Sequence, residues 1–445
     1  MNRRELLRAS LVAGAGAALA RPEAARSAAA GDADALNVAV IGTGTQGRVL
    51  ISAAINIPGV RFRAVADIWP YSQGYAQRWL KSRGHVVAVY EDYREMLAKE
   101  RGLDAAIVAT PDFVHAEHTN ACLAAGLGVY CEKMMSNSLP AARSMVAAMR
   151  KTGKLLQIGH QRRSNPRYLF ARERIVRPGK PAGAPPGMLG RLMHAQASWN
   201  RAVSGDLGAP RKYQMDPAVL KRYGYGSMRE FRNWRWFKKY GGGPISDLGS
   251  HQIDVFNWFF GCGPSAVMAT GGRDFYTDRE WHDNVMAIYE YKTPAGLARA
   301  FYEVLTTTSA GGGYAEQFMG TAGSLRMSEV PKWTRVYREA HAEDWAKYVR
   351  QRIVNAPPKP KTPEPGEAAL DARVSEEMAA YTLPVELSKP IHQPHLENFF
   401  DAVRGKAKLS CPADVALASE MAVFKVYEAL DAQRKIAFAP EDFRV

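Results

Sequence analysis

Residues 36–54 read LNVAVIGTGTQGRVLISAA. A short β-branched run, Val38 to Ile41, leads into Gly42, Gly44 and Gly47, and an amphipathic helical pattern follows. The order is strand, tight turn, helix. In this spacing Gly42 permits the turn, Gly44 lets a pyrophosphate approach the backbone, and Gly47 lets the helix pack on the strand. Thr45 and Gln46 lie at the helix start, where free N–H groups favour phosphate oxygens. A second apolar run, RFRAVAD, ends in Asp67, about twenty residues past Gly47, where a carboxylate accepts from adenosine ribose hydroxyls. Asp67 favours NAD over NADP: it repels a 2′-phosphate, and Ile68 and Trp69 supply no cation to receive one.

The alternation continues through DAAIVAT, PDFVHAEHTNACLAAG, GVYCEKM, a helix from about Leu139 to Lys151, and LLQIGH. Strands alternating with helices predict a parallel doubly wound sheet, a Rossmann dinucleotide-binding domain over about 35–160. Ligands of such sheets sit at the strands' carboxyl ends, so Thr110, Pro111, Glu132, Lys133, His160 and Gln161 are expected to converge near the cofactor. From residue 161 to about 390 the strands change character. SAVMATGG, NVMAIYEYKT, LARAFYEVLTTT and AEQFMGTAGSLRM are successive and turn-separated, which predicts an α+β domain with an open, mainly antiparallel sheet. The fold class is therefore α/β with a second α+β domain. Insertions are expected at 200–240 and 355–390, the latter holding the Pro-rich NAPPKPKTPEPG. Two amphipathic helices in 391–445 close the fold.

The chain has 445 residues, 47% of them hydrophobic, a globular composition too long for one ordinary core. Five Arg and two Glu in residues 1–30 supply three of its fifteen net positive charges. The remaining Lys and Arg are scattered among acids, which argues against nucleic acid as a partner. Cys122, Cys131, Cys262 and Cys411 are too far apart for a zinc motif or a disulfide framework. The first thirty residues pair Arg3 with Arg4 ahead of a short Gly- and Ala-rich stretch. They resemble a twin-arginine export signal, predict a periplasmic or otherwise extracytoplasmic protein, and are too short in apolar run for stable membrane insertion.

VAVIGTGTQG, ATPDFVH, YCEKM and GGGPISDLGSHQID, in that order, resemble the glucose-fructose oxidoreductase, inositol dehydrogenase and MocA-like group of sugar oxidoreductases. The resemblance spans residues 37 to about 330. It implies NAD as cofactor, a carbohydrate as substrate, a lysine at the nicotinamide (Lys133), and Asp247 and His251 completing the catalytic site. It also implies a place for His115 near the cofactor loop and a subunit interface on one face of the second sheet. Independently, positions 247 and 251 share a helical face beside a glycine loop that permits close approach to a ligand. Oxidising a secondary alcohol removes a proton from oxygen as hydride leaves carbon. A neutral imidazole at His251 suits the base, Lys133 the developing alkoxide, and Asp247 either the orientation of the imidazole or a neighbouring hydroxyl. Asp254 and Trp258 read as a packing carboxylate and a core aromatic.

Met134 replaces the proline usual after this lysine, and a trans bond is expected there, because cis costs about 2.5–4 kcal/mol without proline. His115 and His118 lack an evident third metal ligand. His160 and Arg162, and Trp234 and Arg235 from the aromatic stretch REFRNWRWFKKY, are candidate sugar contacts. A redox-neutral glycoside-cleaving enzyme and a catalytically silent sugar-binding protein are the alternatives on this scaffold.

Overall fold

The computed structural model describes residues 34–178, 187–311, 313–358 and 378–445. The expected export signal, and most of the Pro-rich insertion, lie outside the described residues.

Leu36–Ile41 (β1), Val60–Ala66 (β2), Ala88–Tyr90 (β3), Ala105–Val108 (β4), Gly128–Cys131 (β5) and Leu156–Ile158 (β6) form a parallel sheet in the order β3-β2-β1-β4-β5-β6. The order reverses between β1 and β4. Both strands end beside the Gly42 turn and Ala109–Pro111, so the crevice that binds ligands in such sheets opens there. Gly42 has φ +88°, and a Cβ on it would come within 2.7 Å of the Ala109 carbonyl. At Gly44, by contrast, a Cβ would meet no protein atom within 4 Å. The tight turn and the open approach predicted from spacing both exist.

Leu192–Asn200 (β7), Ala266–Gly272 (β8), Asn284–Thr293 (β9), Gly296–Leu305 (β10), Tyr314–Gly320 (β11), Gly323–Met327 (β12), Arg335–Arg338 (β13), Ala380–Tyr381 (β14) and Ile436–Ala437 (β15) form the second sheet. Its order is β14-β13-β12-β11-β7-β10-β9-β8-β15. The β7–β10 pair is parallel and the others are antiparallel. Alternation along β9 and β10 buries Val285, Ala287, Tyr289, Ala300, Tyr302 and Val304 against the helix Ser250–Phe260. The helix Gln393–Val403 gives Leu396, Phe399 and Phe400 to one face of the first sheet. The longer helix Ala413–Ala432 begins in the core of the first domain, with Ala413, Ala416 and Leu417, and ends in that of the second, with Val423, Val426 and Ala429. It thus fixes the two domains, and the cleft between them, relative to each other.

The 200–240 insertion is the main surprise. Its Met215, Leu220, Tyr225 and Tyr240 form a small core with Trp69, and the Trp69 indole donates to the Tyr213 carbonyl at 2.7 Å. Tyr213 packs edge-on against Tyr71, and Tyr225 and Tyr240 against Phe113. Tyr213, Tyr225 and Tyr240 thus anchor the insertion to the dinucleotide domain.

Candidate active site

A cleft of about 880 Å³ runs between the Gly42 turn and the second domain. At its adenosine end, Asp67 Oδ2 accepts from the Thr43 backbone N–H at 2.7 Å and the Thr43 hydroxyl at 3.0 Å, and Oδ1 accepts from the Trp69 N–H at 2.8 Å. A carboxylate offers about four acceptor positions, so Asp67 retains capacity for a ribose hydroxyl. Burial raises its pKa, opposed by these donors and by Arg48. The insertion supplies the facing wall, with Tyr225, Phe231 and Arg232 lining the cleft opposite Asp67 and Trp69.

Further along, Gln46 donates to Glu132 Oε1 at 3.1 Å and lies 3.2 Å from His392 Nε2, so the helix start, the end of β5 and the C-terminal segment meet. His392 was not singled out from sequence; no local motif marks it. His115 is buried. Its ring nitrogens lie 2.7 Å from the Met134 and Thr110 carbonyl oxygens, so it ties the β4 and β5 loops together beneath the cofactor groove. Its neighbour His118 contacts the Thr110 hydroxyl at 3.1 Å. The Lys133–Met134 bond is cis, correcting the trans expectation. The surrounding groups fasten this backbone: the Met134 carbonyl sits on His115, and the Met135 N–H donates to Glu420 Oε1 at 2.6 Å.

Lys133 Nζ donates to the Asp247 carbonyl and lies 3.7 Å from its carboxylate, which also accepts from Arg235 Nε at 2.9 Å. Burial opposes ionisation of Asp247, but the Arg235 and Lys133 cations outweigh it and hold the carboxyl far below the usual range. The widened turn Ile245–Gly249 precedes the helix Ser250–Phe260 and places His251 in the same cleft. His251 stacks on Trp199 at 5.7 Å, and Trp199 stacks on Tyr314 at 4.2 Å. Burial first, then the Lys133 and Arg162 charges, drive the His251 pKa well below 6.5, so its ring is neutral but less basic than an ordinary histidine. Among the described residues Asp247 makes no hydrogen bond to this ring, which leaves the second of its two expected roles, binding a neighbouring hydroxyl. The carboxylate instead accepts from Arg235 and pairs with Lys133.

Two expected sugar contacts lie beneath the cleft wall rather than on it. His160 is buried, with Nδ1 3.9 Å from Asp254 Oδ2. Arg162 is buried in ion pairs with Glu316 and, at 3.2 Å, Glu329. Arg162 faces the interior because two buried carboxylates draw it there; Gln161 and Glu329 line the cleft instead. Trp234 and Arg235 do line it, the guanidinium lying 4.2 Å from the indole centroid. Asp254 has the packing role expected of it, accepting from Arg163 Nε at 2.9 Å and Nη2 at 2.8 Å.

Residues 36–160 match the model of an oxidoreductase family with an NAD-binding Rossmann fold, and residues 187–326 match the GFO/IDH/MocA C-terminal domain. The chain belongs to the GFO/IDH/MocA family. Inositol 2-dehydrogenase of Rubrobacter xylanophilus is 31% identical over 179 residues, which is 40% of this chain and 48% of that protein. The match thus spans about half of that relative. For 1,5-anhydro-D-fructose reductase of Ensifer adhaerens, the identity is 27% over 56% of this chain and 65% of the relative. Among solved structures, levoglucosan dehydrogenase with NADH and L-sorbose superposes with a TM-score of 0.66 at 17% identity, covering 91% of this chain and 99% of that one. The WlbA dehydrogenase of Chromobacterium violaceum with NADH and UDP-GlcNAcA gives 0.65 at 16%, covering 92% and 97%. At these identities the superpositions establish the shared fold. The family's NAD-binding character agrees with the open space at Gly44, the remaining acceptor capacity of Asp67 and the helix N-terminus at Thr45.

Proposed function

We propose that this protein is an NAD-dependent oxidoreductase that oxidises a secondary hydroxyl of a sugar or glycoside. The observation that carries this reading is the meeting of Lys133, Asp247 and His251 in the cleft that also holds the Gly42 turn and Asp67. When bound, NAD supplies the hydride acceptor. The Lys133 ammonium, fixed by Asp247, binds the substrate oxygen and stabilises its developing negative charge. The neutral His251 ring takes the hydroxyl proton as the carbon–hydrogen bond breaks and the carbonyl forms. The negative charge that develops on the substrate oxygen as the proton leaves offsets the ring's low basicity, because it stabilises the imidazolium being formed. Reduction of NAD with a keto-sugar as product, on a panel of inositols, free sugars and glycosides, tests the reading. Absence of hydride transfer to NAD from every member would sink it.

A second reading is that NAD is retained and returned within one turnover, so that a glycoside is cleaved without net oxidation. The insertion wall over the adenosine end favours this, because it would enclose a bound dinucleotide between two packed surfaces. The paired arginines near the N-terminus add to it, since an exported protein meets little free NAD outside the cytoplasm. Denaturing protein purified without added nucleotide should release one NAD per chain, and released aglycone should appear without net NADH. We also propose that the second sheet pairs two copies of the chain. On its outer face Met268, Ile288 and Phe301 are exposed and adjacent across three strands. Sedimentation equilibrium of the wild type and of Ile288→Lys tests this, with dissociation expected in the variant.

A further inference from the structure

The catalytic end of the cleft holds more positive charge than the hydride transfer described above uses. Lys133 and the Nε of Arg235 share Asp247. The two terminal nitrogens of Arg235 have no hydrogen-bonding partner among the described residues, although the side chain lines the cleft and is 43% exposed. Arg201 lines the same end, exposed, with its guanidinium 5.5 Å from the centroid of Trp199, the ring that stacks on His251. Its side chain has no ion pair or hydrogen bond among the described residues. Glu329 is engaged by Arg162 and Gln161, and Asp247 already has two cations. Asp112 and Glu132 also act on the charge of Arg235, but among the described residues neither forms a hydrogen bond or ion pair with its terminal nitrogens.

The adenosine end is different. There Glu91 pairs with Arg222 at 3.2 Å and Asp92 with Arg94 at 3.3 Å, so these two cations have carboxylate partners. Two guanidinium groups with unpartnered terminal N–H groups, in the same cleft as a catalytic lysine, form a donor-only surface. A neutral sugar hydroxyl, which both donates and accepts, uses such a surface poorly; an anionic oxygen group matches it.

We propose that the carbohydrate substrate carries an acidic group, a carboxylate or a phosphate, which Arg201 and Arg235 receive while the reacting carbinol faces Lys133 and His251. This rests on the oxidoreductase reading for the role of the carbinol, but the anion site itself can be measured without turnover. The full-length protein loaded with NADH is titrated calorimetrically with methyl glucuronide, glucose 6-phosphate and methyl glucoside. Charge-assisted hydrogen bonds predict that one of the two anions binds about ten- to a hundredfold more tightly than the glucoside. The advantage should shrink with added salt and invert in Arg201→Glu. The tighter anion identifies the acidic group as carboxylate or phosphate. Equal binding of all three ligands, or an anion preference unchanged in both Arg201→Gln and Arg201→Glu, would overturn the proposal. Oxidation of neutral glycosides without anion preference would overturn it while leaving the dehydrogenase reading intact. Anion preference without hydride transfer would do the reverse.

Discussion

The two ends of the cleft are built differently. At the adenosine end the decisive contact, Thr43 to Asp67, joins residues 24 apart in sequence. At the catalytic end Lys133 reaches Asp247 across 114 positions, and Gln46 reaches His392 across 346. A site made from one strand–turn–helix–strand unit is determined by short-range geometry. A site made from several distant segments also depends on charge and packing that no single segment contains.

The largest effect expected from this difference is at His251. In His251→Ala, turnover should fall by about 10² to 10⁴ with little change in NAD affinity, because the ring acts in the proton transfer and not at the dinucleotide. Stopped-flow hydride transfer and NAD titration measure the two separately. Near-normal turnover would leave His251 as a packing residue against Trp199.

Asp112 is next. It lines the cleft yet is 5% exposed, and burial, opposed by Arg235 and reinforced by Asp247, pushes its pKa up to about 7. A carboxyl raised above its unfolded value near 4 contributes stability that is present below about pH 4 and lost as pH rises through 7. Thermal unfolding of the wild type should therefore weaken over that window, by at most about 1.4 kcal/mol per pH unit from this group, and Asp112→Asn should flatten the slope. An unchanged slope would show that Asp112 is ionised throughout. A smaller loss is expected in Gly47→Ala, whose new Cβ would collide with the Gly42 carbonyl oxygen. Stability there should drop by about 1–3 kcal/mol in denaturant unfolding, together with NAD affinity.

The parallel sheet, the Gly42 turn and the open second sheet were legible because each follows from periodicity and turn chemistry within a short window. Lys133, Asp247 and His251 were legible through several motifs in order, not through any one of them. What escaped was set by long-range partners. Arg162 looked like a sugar ligand until Glu316 and Glu329, more than 150 positions away, drew it inward. The Arg235–Asp247 pair left the imidazole of His251 without the carboxylate expected for it. Trp69 and Tyr71 carried the one readable hint of the insertion's docking: two large aromatics just past β2, which an uncovered dinucleotide groove would leave to water.

The insertion also changes what is expected of Asp67. From sequence alone, the preference for NAD rested on a carboxylate with no cation beside it. In the folded protein two cations stand close by. Arg48 donates to the Thr43 carbonyl at 3.1 Å, and Arg232, from the insertion, lies 4.6 Å from the Trp69 ring centroid. Both influence, or are influenced by, the charge of Asp67. While Asp67 is ionised it faces these cations and repels a 2′-phosphate. In Asp67→Ala the ribose hydroxyls lose an acceptor, and the two guanidinium groups are left facing the position a 2′-phosphate would occupy. The ratio of NAD to NADP affinity should fall by about ten- to a hundredfold, from the loss of one or two charge-assisted hydrogen bonds. Adding Arg232→Ala should restore part of the ratio by weakening NADP alone. If the single variant keeps the wild-type ratio, Asp67 serves only to hold Thr43 and Trp69. If the double variant behaves like the single one, the insertion wall has no part in reading the cofactor's phosphate.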